Sequence, residues 1–198
     1  MEICIRSTPL TSNLRPWKTV SKRTILDHGV HLKVESHTIQ LPNGELIEDW
    51  PWVIVPDAVI VLAETVDRKF LCFRQTKYAV EGTSMAPVGG MIQDHEPPIE
   101  AAERELREET GYTSDEWIDL GSYALEPNRG VSIANLFLAR RAQRTSEPDS
   151  DDLEDQELLA LDRSQLEHAL AGGEFKVITW AAVVALALLR TKQGRVLE

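Results

Sequence analysis

The segment 90–112, GMIQDHEPPIEAAERELREETGY, constrains this chain more than any other, because it must form a short helix carrying three carboxylates on one arc. Pro97 and Pro98 can stand only at a helix start. Ala101 and Ala102 favour its interior, and Gly111 sits where a left-handed C-terminal cap belongs. About three turns fit between these signals. At about 100° per residue, Ile99, Ala102 and Leu106 share an apolar stripe suited to packing on a sheet, and Glu105, Glu108 and Glu109 fall in one arc beside it. Carboxylates spaced i, i+3 and i+4 repel one another by roughly 0.3 kcal/mol per pair. A hard dication such as Mg²⁺ removes that repulsion and takes oxygen ligands. The alternative is a solvated acidic face held by ion pairs, which suits Glu100 with Arg104 and Glu103 with Arg107, each at i,i+4. That alternative leaves Glu105, Glu108 and Glu109 with little basic compensation.

Around this helix the pattern is mostly strands. Residues 1–20 read as a loose arm. From Val30 onward His31, Lys33, Glu35 and His37 alternate with Leu32, Val34, Ser36 and Thr38, the period of a half-buried strand. Pro42-Asn43-Gly44 is a turn, and a second strand over 45–54 completes a small antiparallel unit. Further strands are expected at 57–62, 70–75, 121–124 and 131–139, with a loop at 82–90. An acidic loop is expected at 147–157, and helices at 164–171 and 178–190 joined through Gly172-Gly173. Strands with a few helices make an α+β, mixed-sheet class the expectation. The boundaries drawn are an N-terminal arm and β-hairpin unit at 1–54, which could serve dimerisation, and a main domain at 55–198.

Charge excludes some partners. With 32 acidic against 21 basic residues the net charge is -11, which repels nucleic acid. A small anionic substrate remains open, since a bound dication inverts the local charge. Cys4 and Cys72 have neither metal-ligand spacing nor a disulfide framework, as in a reduced compartment. No apolar stretch follows the first basic residues as in a secretory signal. The apolar run 177–189 is too short to span a bilayer, so the cytoplasm is the expected compartment and no membrane partner is expected.

Gly90, Glu96, Arg104, Glu105, Leu106, Glu108, Glu109, Gly111 and Tyr112 fill every fixed position of the pattern Gx5Ex7REUxEExGU, where U is a bulky apolar residue. This resembles the Nudix box, and the resemblance runs beyond it over about 23–189. It implies the Nudix fold, a mixed β-sheet between helices, here with the small N-terminal antiparallel unit. It also implies hydrolysis of the pyrophosphate bond of a nucleoside diphosphate linked to another moiety, with Mg²⁺ as cofactor or Mn²⁺ as substitute. By position Glu105, Glu108 and Glu109 become metal ligands, joined by the Gly89 carbonyl. Arg104 orients a ligand carboxylate, Glu96 braces the loop against the helix, and Gly90 and Gly111 serve as turn and cap.

The chain is similar to the ADP-ribose pyrophosphatase branch in particular. Phe73-Arg74-Gln75-Thr76-Lys77-Tyr78 matches a run whose basic residues, here Arg74 and Lys77, face the substrate phosphates; Lys77 stands where that branch carries Arg, keeping the charge without the bidentate fork. Pro127, fifteen positions after Tyr112, resembles the proline marker of ADP-ribose-cleaving members. The Ser-Glu pair that often follows it is replaced by Val131-Ser132-Ile133. Members of this branch commonly form homodimers and hold the adenine between aromatic rings. Trp17 and Trp50 are the candidates here, with Trp52 in reserve and core or dimer packing as the other reading of all three. The general base of such enzymes comes from an acidic loop, which points to Glu154, with Asp152 and Glu157 as alternatives. ADP-ribose is the expected substrate; sugar nucleotides, NADH and dinucleoside polyphosphates are rivals. A non-catalytic nucleotide-sensing module is the reading from another class, and it would be expected to have lost box carboxylates that are all present here.

Overall fold

The structure is a computed structural model that describes residues 14–149 and 155–191. It divides into two compact units, Met1–Ile54 and Val55–Glu198. The first holds an antiparallel meander of β1 (Lys18–Asp27), β2 (Lys33–Gln40) and β3 (Leu46–Ile54). The β1 to β2 turn is fixed by the Asp27 carboxylate accepting from the Gly29 N–H at 2.9 Å. In the β2 to β3 turn the Gly44 N–H donates to the Leu41 carbonyl at 2.9 Å. Strand β1 begins at Lys18, within the last three positions of the stretch 1–20 expected as a loose arm, and runs on to Asp27. Every residue of it is exposed, so it carries no alternation for a sequence pattern to reveal. On β2 the buried face is Glu35, His37 and Ile39. Glu35 accepts a hydrogen bond from His37 at 2.9 Å, which holds its carboxyl below the usual range. His37 in turn stacks on Trp52, with ring centroids 5.2 Å apart.

The second unit is built around β4 (Ala58–Thr65) and β10 (Gly130–Arg144), which pair in parallel from Ala134 opposite Ala58 onward. The other pairings described within this unit are antiparallel. β9 (Glu116–Glu126) and the two-residue β8 (Tyr112–Thr113) lie on β10. The free edge of β4 is shared between β7 (Val88–Met91) and the start of β5 (Phe70–Lys77), and β5 pairs with both β6 (Val80–Ala86) and β11 (Gln156–Leu161). The expected loop at 82–90 is therefore largely strand. Its pairing with distant β4 and β5 makes it so, and its own glycines and serine carry no strand signal. The acidic segment likewise gives way to β11 from Gln156 onward.

Helix α1 (Pro98–Thr110) covers one face of this sheet, and α2 (Arg163–Ala171) and α3 (Ile178–Arg190) cover the other. The strands divide accordingly. Val59, Val61 and Ala63 of β4 meet Ala101, Ala102 and Leu106 of α1, while Ile60 and Leu62 meet Leu166, Val183 and Val184. A strand buried on both faces reads as one continuous apolar run, as 58–63 does. Complete burial of Leu106 anchors α1 by about 2 kcal/mol.

Gly111 ends α1 with φ 74° and donates its N–H to the Arg107 carbonyl at 2.8 Å. Its own carbonyl accepts from Thr145 and Ser146, and a Cβ at this position would collide with the Ser146 carbonyl oxygen. Gly111→Ala is therefore expected to destabilise the fold by about 2 kcal/mol. In urea denaturation the midpoint should fall with the slope unchanged; an unmoved midpoint would show that this junction tolerates a side chain.

Candidate active site

Pro98 opens α1 where no N–H partner is needed, and the loop before it brings Glu96 back over the helix. Arg104 joins the two. Its Nε and Nη2 donate to the two Glu96 carboxylate oxygens at 2.8 and 2.9 Å, and Nη2 also reaches the Met91 carbonyl at 3.0 Å. Nη1 donates to Glu105 at 2.6 Å and Glu108 at 3.2 Å. The ion pairing expected between Arg104 and Glu100 is thus corrected. The Glu96 fork, both of its oxygens in reach and only 14% exposed, outcompetes a solvated i,i−4 partner. The arc carboxylates are correspondingly better compensated than the sequence alone implies.

The electrostatic consequences run in opposite directions. Arg104 holds the Glu96 carboxyl below the usual carboxylate range, whereas burial pushes Glu105 up, with Arg104 pulling against it. The guanidinium is itself held more firmly protonated by Glu96. Gly90 on β7 explains how Glu105 fits: a Cβ there would sit on the Glu105 carboxylate. Next to it the Gly89 N–H donates to Glu109 at 3.3 Å, and a Cβ on Gly89 would meet the Val59 carbonyl at 2.7 Å. Among the described residues no three ligating side chains converge on a single point, since Arg104 and the Gly89 N–H hold the carboxylates. The donor set nonetheless suits a hard dication: three carboxylates, two of them beside the backbone of Gly89 and Gly90, offer oxygen ligands.

Beside this cluster lies a cavity of about 290 Å³. Glu109, Gly89, Gly90, Lys77, Phe73, Gln75, Thr179 and Trp180 are among the residues that line it. Strand alternation selects among the residues of β5. Phe73, Gln75 and Lys77 face the cavity, while Arg74 lies on the opposite side, exposed and 3.4 Å from Glu174. Pro127 is exposed between β9 and β10, two positions beyond Leu125, which does line the cavity. Ser132 is buried and donates to the Pro56 carbonyl at 2.8 Å. Trp17 and Trp50 belong to the N-terminal unit and pack edge to face, their centroids 5.4 Å apart at 82°. Glu154 and Asp152 lie outside the described residues. Glu157 is exposed on β11 opposite Arg74.

Gln75, Thr179 and Trp180 were not singled out from the sequence. For Gln75 a signal existed, because period two places it on the same face as Lys77. For Trp180 none did, since it stands in an apolar helix where any large side chain reads as core.

Comparison with known proteins gives a consistent picture. The NUDIX domain family model matches residues 54–181. An ADP-ribose pyrophosphatase of Bacillus subtilis (strain 168) is 30% identical over 153 residues, 77% of this chain and 80% of the relative. A methanol dehydrogenase activator of Bacillus methanolicus is 29% identical over 74% of this chain and 80% of its own length. Among solved structures, a crystal structure of an ADP compounds hydrolase superposes with a TM-score of 0.76 at 21% identity. That match covers 94% of this chain and 100% of the other, and it shows the shared fold.

Arg104→Lys keeps one charge but cannot fork. It should cost about 2 kcal/mol through lost charge-assisted hydrogen bonds, a fall in Tm of about 6 °C for a chain this size. A thermal melt of the metal-free protein with Tm unchanged would show that the fork does not hold the loop.

Proposed function

Because the chain belongs to the NUDIX family and is a Nudix pyrophosphohydrolase, we propose that it splits ADP-ribose into AMP and ribose 5-phosphate with Mg²⁺, which Mn²⁺ can replace. The observation that carries this reading is the shared wall: Glu109, Gly89 and Gly90 border the same cavity as Lys77. A diphosphate in that cavity would lie against Glu109 of the box and the Lys77 side chain. The similarity to the Bacillus subtilis ADP-ribose pyrophosphatase supports the choice of substrate.

Glu105, Glu108 and Glu109 would hold the metal, with the Gly89 carbonyl as a further ligand. Bound there, Mg²⁺ would polarise the phosphoryl oxygens and lower the pKa of attacking water. The chain's own residues do the rest. Arg104 fixes the orientation of Glu105 and Glu108 from behind, and Lys77 offsets charge on the diphosphate. A water oxygen attacks one phosphorus, the bridging P–O bond breaks, and the water proton passes to a carboxylate. We assign that carboxylate to Glu154. Its flanks support the choice: the Asp149 N–H donates to the Glu108 carbonyl at 2.8 Å, and Gln156 pairs opposite Gln75 at the cavity. Two copies pair in this reading, which the exposed β1 with Val20 and Ile25 supports. The compartment is the cytoplasm; no helix among the described residues is long and apolar enough to cross a membrane. Burial pushes the Cys72 thiol up to about 12, so it stays inert.

A panel of ADP-ribose, NADH, a sugar nucleotide and a dinucleoside polyphosphate, read by phosphatase-coupled phosphate release, tests the substrate. The highest kcat/KM is expected on ADP-ribose. EDTA should abolish it, and Glu109→Gln should lower kcat on the order of 10²–10³-fold. A higher kcat/KM on NADH or a sugar nucleotide overturns the substrate and leaves the family standing. For the base, Glu154→Gln should lower kcat by about 10²-fold or more while Mg²⁺ affinity in a binding titration stays near wild type. A larger effect from Asp152→Asn or Glu157→Gln moves the role to that residue.

A further inference from the structure

The sulfur atoms of this chain differ in what can reach them. It has three methionines and two cysteines, of which Met85, Met91 and Cys72 are among the described residues. Met85 is 2% exposed and packs in the core with Leu136 and Phe175. Cys72 is fully buried, and burial pushes its thiol up to about 12, so almost no thiolate forms at neutral pH. Met91 is different: it is 56% exposed and lines the cavity beside the box helix. Strand alternation puts it on the same side of β7 as Gly89, and Gly90 between them faces Glu105. Ala58, directly opposite it in the ladder, lines the cavity too, as do Leu125 and Ala134. For packing beside these groups any flexible apolar side chain would serve. Methionine adds a sulfur lone pair that an oxidant can reach.

We propose that Met91 is an oxidation site that sets how well the cavity takes its substrate. The co-reactant is a hydroperoxide, hydrogen peroxide in the simplest case. The thioether sulfur attacks one peroxide oxygen, an S–O bond forms and the O–O bond breaks. The departing hydroxide takes the proton of the transferred oxygen and leaves as water. Sulfur is oxidised by two electrons to the sulfoxide and the peroxide is reduced by two. Met85 and Cys72 do not compete, because both are buried.

The sulfoxide replaces an apolar group by a dipole whose oxygen is the negative end. Turned toward Ala58 and its apolar neighbours, that oxygen has no donor. Turned toward the opening, it joins Glu109 as a second negative group in the lining and competes with an anionic diphosphate for Lys77. Substrate binding weakens in both orientations. The grip of Arg104 on the loop persists, because Nη2 bonds the Met91 carbonyl and not its side chain. Reduction of the sulfoxide restores the thioether, so the change is reversible. The site rests on the exposure of the sulfur; only the effect on binding rests on the diphosphate reading.

The test treats the full chain, carrying Cys4→Ser to remove the thiol outside the described residues, with hydrogen peroxide. Peptides are then mapped by mass, and kcat and KM are measured on ADP-ribose with Mg²⁺ after the peroxide is removed. Gain of one oxygen is expected at Met91 about tenfold or more faster than at Met85. KM should rise about tenfold with kcat nearly constant. Tm should stay within about 2 °C, as for a change at an exposed side chain. Sulfoxide reductases for the two epimers, added together, should return KM to its starting value. In Met91→Leu the ratio of treated to untreated KM should stay near one. Faster oxidation of Met85, a treated Met91→Leu that loses as much as its parent, or fully oxidised Met91 with KM unchanged overturns the proposal. Lack of ADP-ribose turnover before treatment sinks the substrate reading alone, and the best substrate of the panel then serves in the same assay.

Discussion

The Arg104 guanidinium has five N–H donors and spends them on three carboxylates and a backbone carbonyl. The loop 91–97 would otherwise have little to hold it to α1. Ile92 packs on the cluster that holds Ala101, Ala102 and Leu106, but the rest of the loop has polar contacts such as the Gln93 N–H with Glu96, and Pro97 supplies no side-chain cap. Arg104 ties that loop down through Glu96 and, from the same plane, orients Glu105 and Glu108. A lysine could neutralise one of these groups but could not bridge them, because its charge is a point and not a fork. The arrangement also explains why glycine is required at position 90. With Glu105 drawn toward Arg104, its carboxylate occupies the volume a Cβ would take. Motif residues far apart in sequence are thus coupled by one planar cation and one missing methyl group.

The same contacts set an electrostatic tension at the end of α1. Glu96 is stabilised in its charged form, and its contribution to stability is present above the ordinary carboxylate range and fades as pH falls through its lowered pKa. Glu105 is pushed the other way by burial. Its charge is therefore a cost to the fold at neutral pH that Arg104 only partly offsets. A cluster in that condition gains from any further positive charge placed near it, beyond Arg104 and the Arg107 guanidinium 3.9 Å from Glu108.

How much of this could be read from the sequence varies by element, for physical reasons. Helix α1 announced itself because its start, stop and apolar stripe are all local: Pro98, Gly111 and Leu106 lie within one segment. The α3 run over 178–190 was legible for the same reason. Strands β6 and β7 were not. A segment such as 80–91 becomes strand by pairing with β5 and β4, partners that no local window contains. β1 stayed hidden because it is exposed along its whole length and shows no alternation. Within the site, the box residues were identifiable through their fixed spacing, but the partner of Arg104 was not. Helical geometry offers Glu100 and Glu108 equally, and only the return of the loop brings in Glu96.

The aromatic residues make the limit sharper. Position along the chain nominates Trp17 and Trp50, which lie in the N-terminal unit and face each other edge on. Trp180 sits in a helix whose apolar character predicts nothing but burial. The structure distinguishes it by a single fact: it packs against both core clusters, the one shared with α1 and the one shared with α2 and α3. Those clusters occupy opposite faces of the sheet. A side chain can touch both only at a margin of the middle layer, and Trp180 lines the cavity there with Ala58, Val59 and Ile60 of β4, the glycines of β7 and the end of β5. Any opening into the interior has to form at such a place, because elsewhere the strands fill the middle layer. Gln75 and Lys77 reach it by strand alternation and Glu109 by the turn of α1. The cavity therefore follows from the meeting of two helical layers at a strand end, a relation that exists only once the chain is folded.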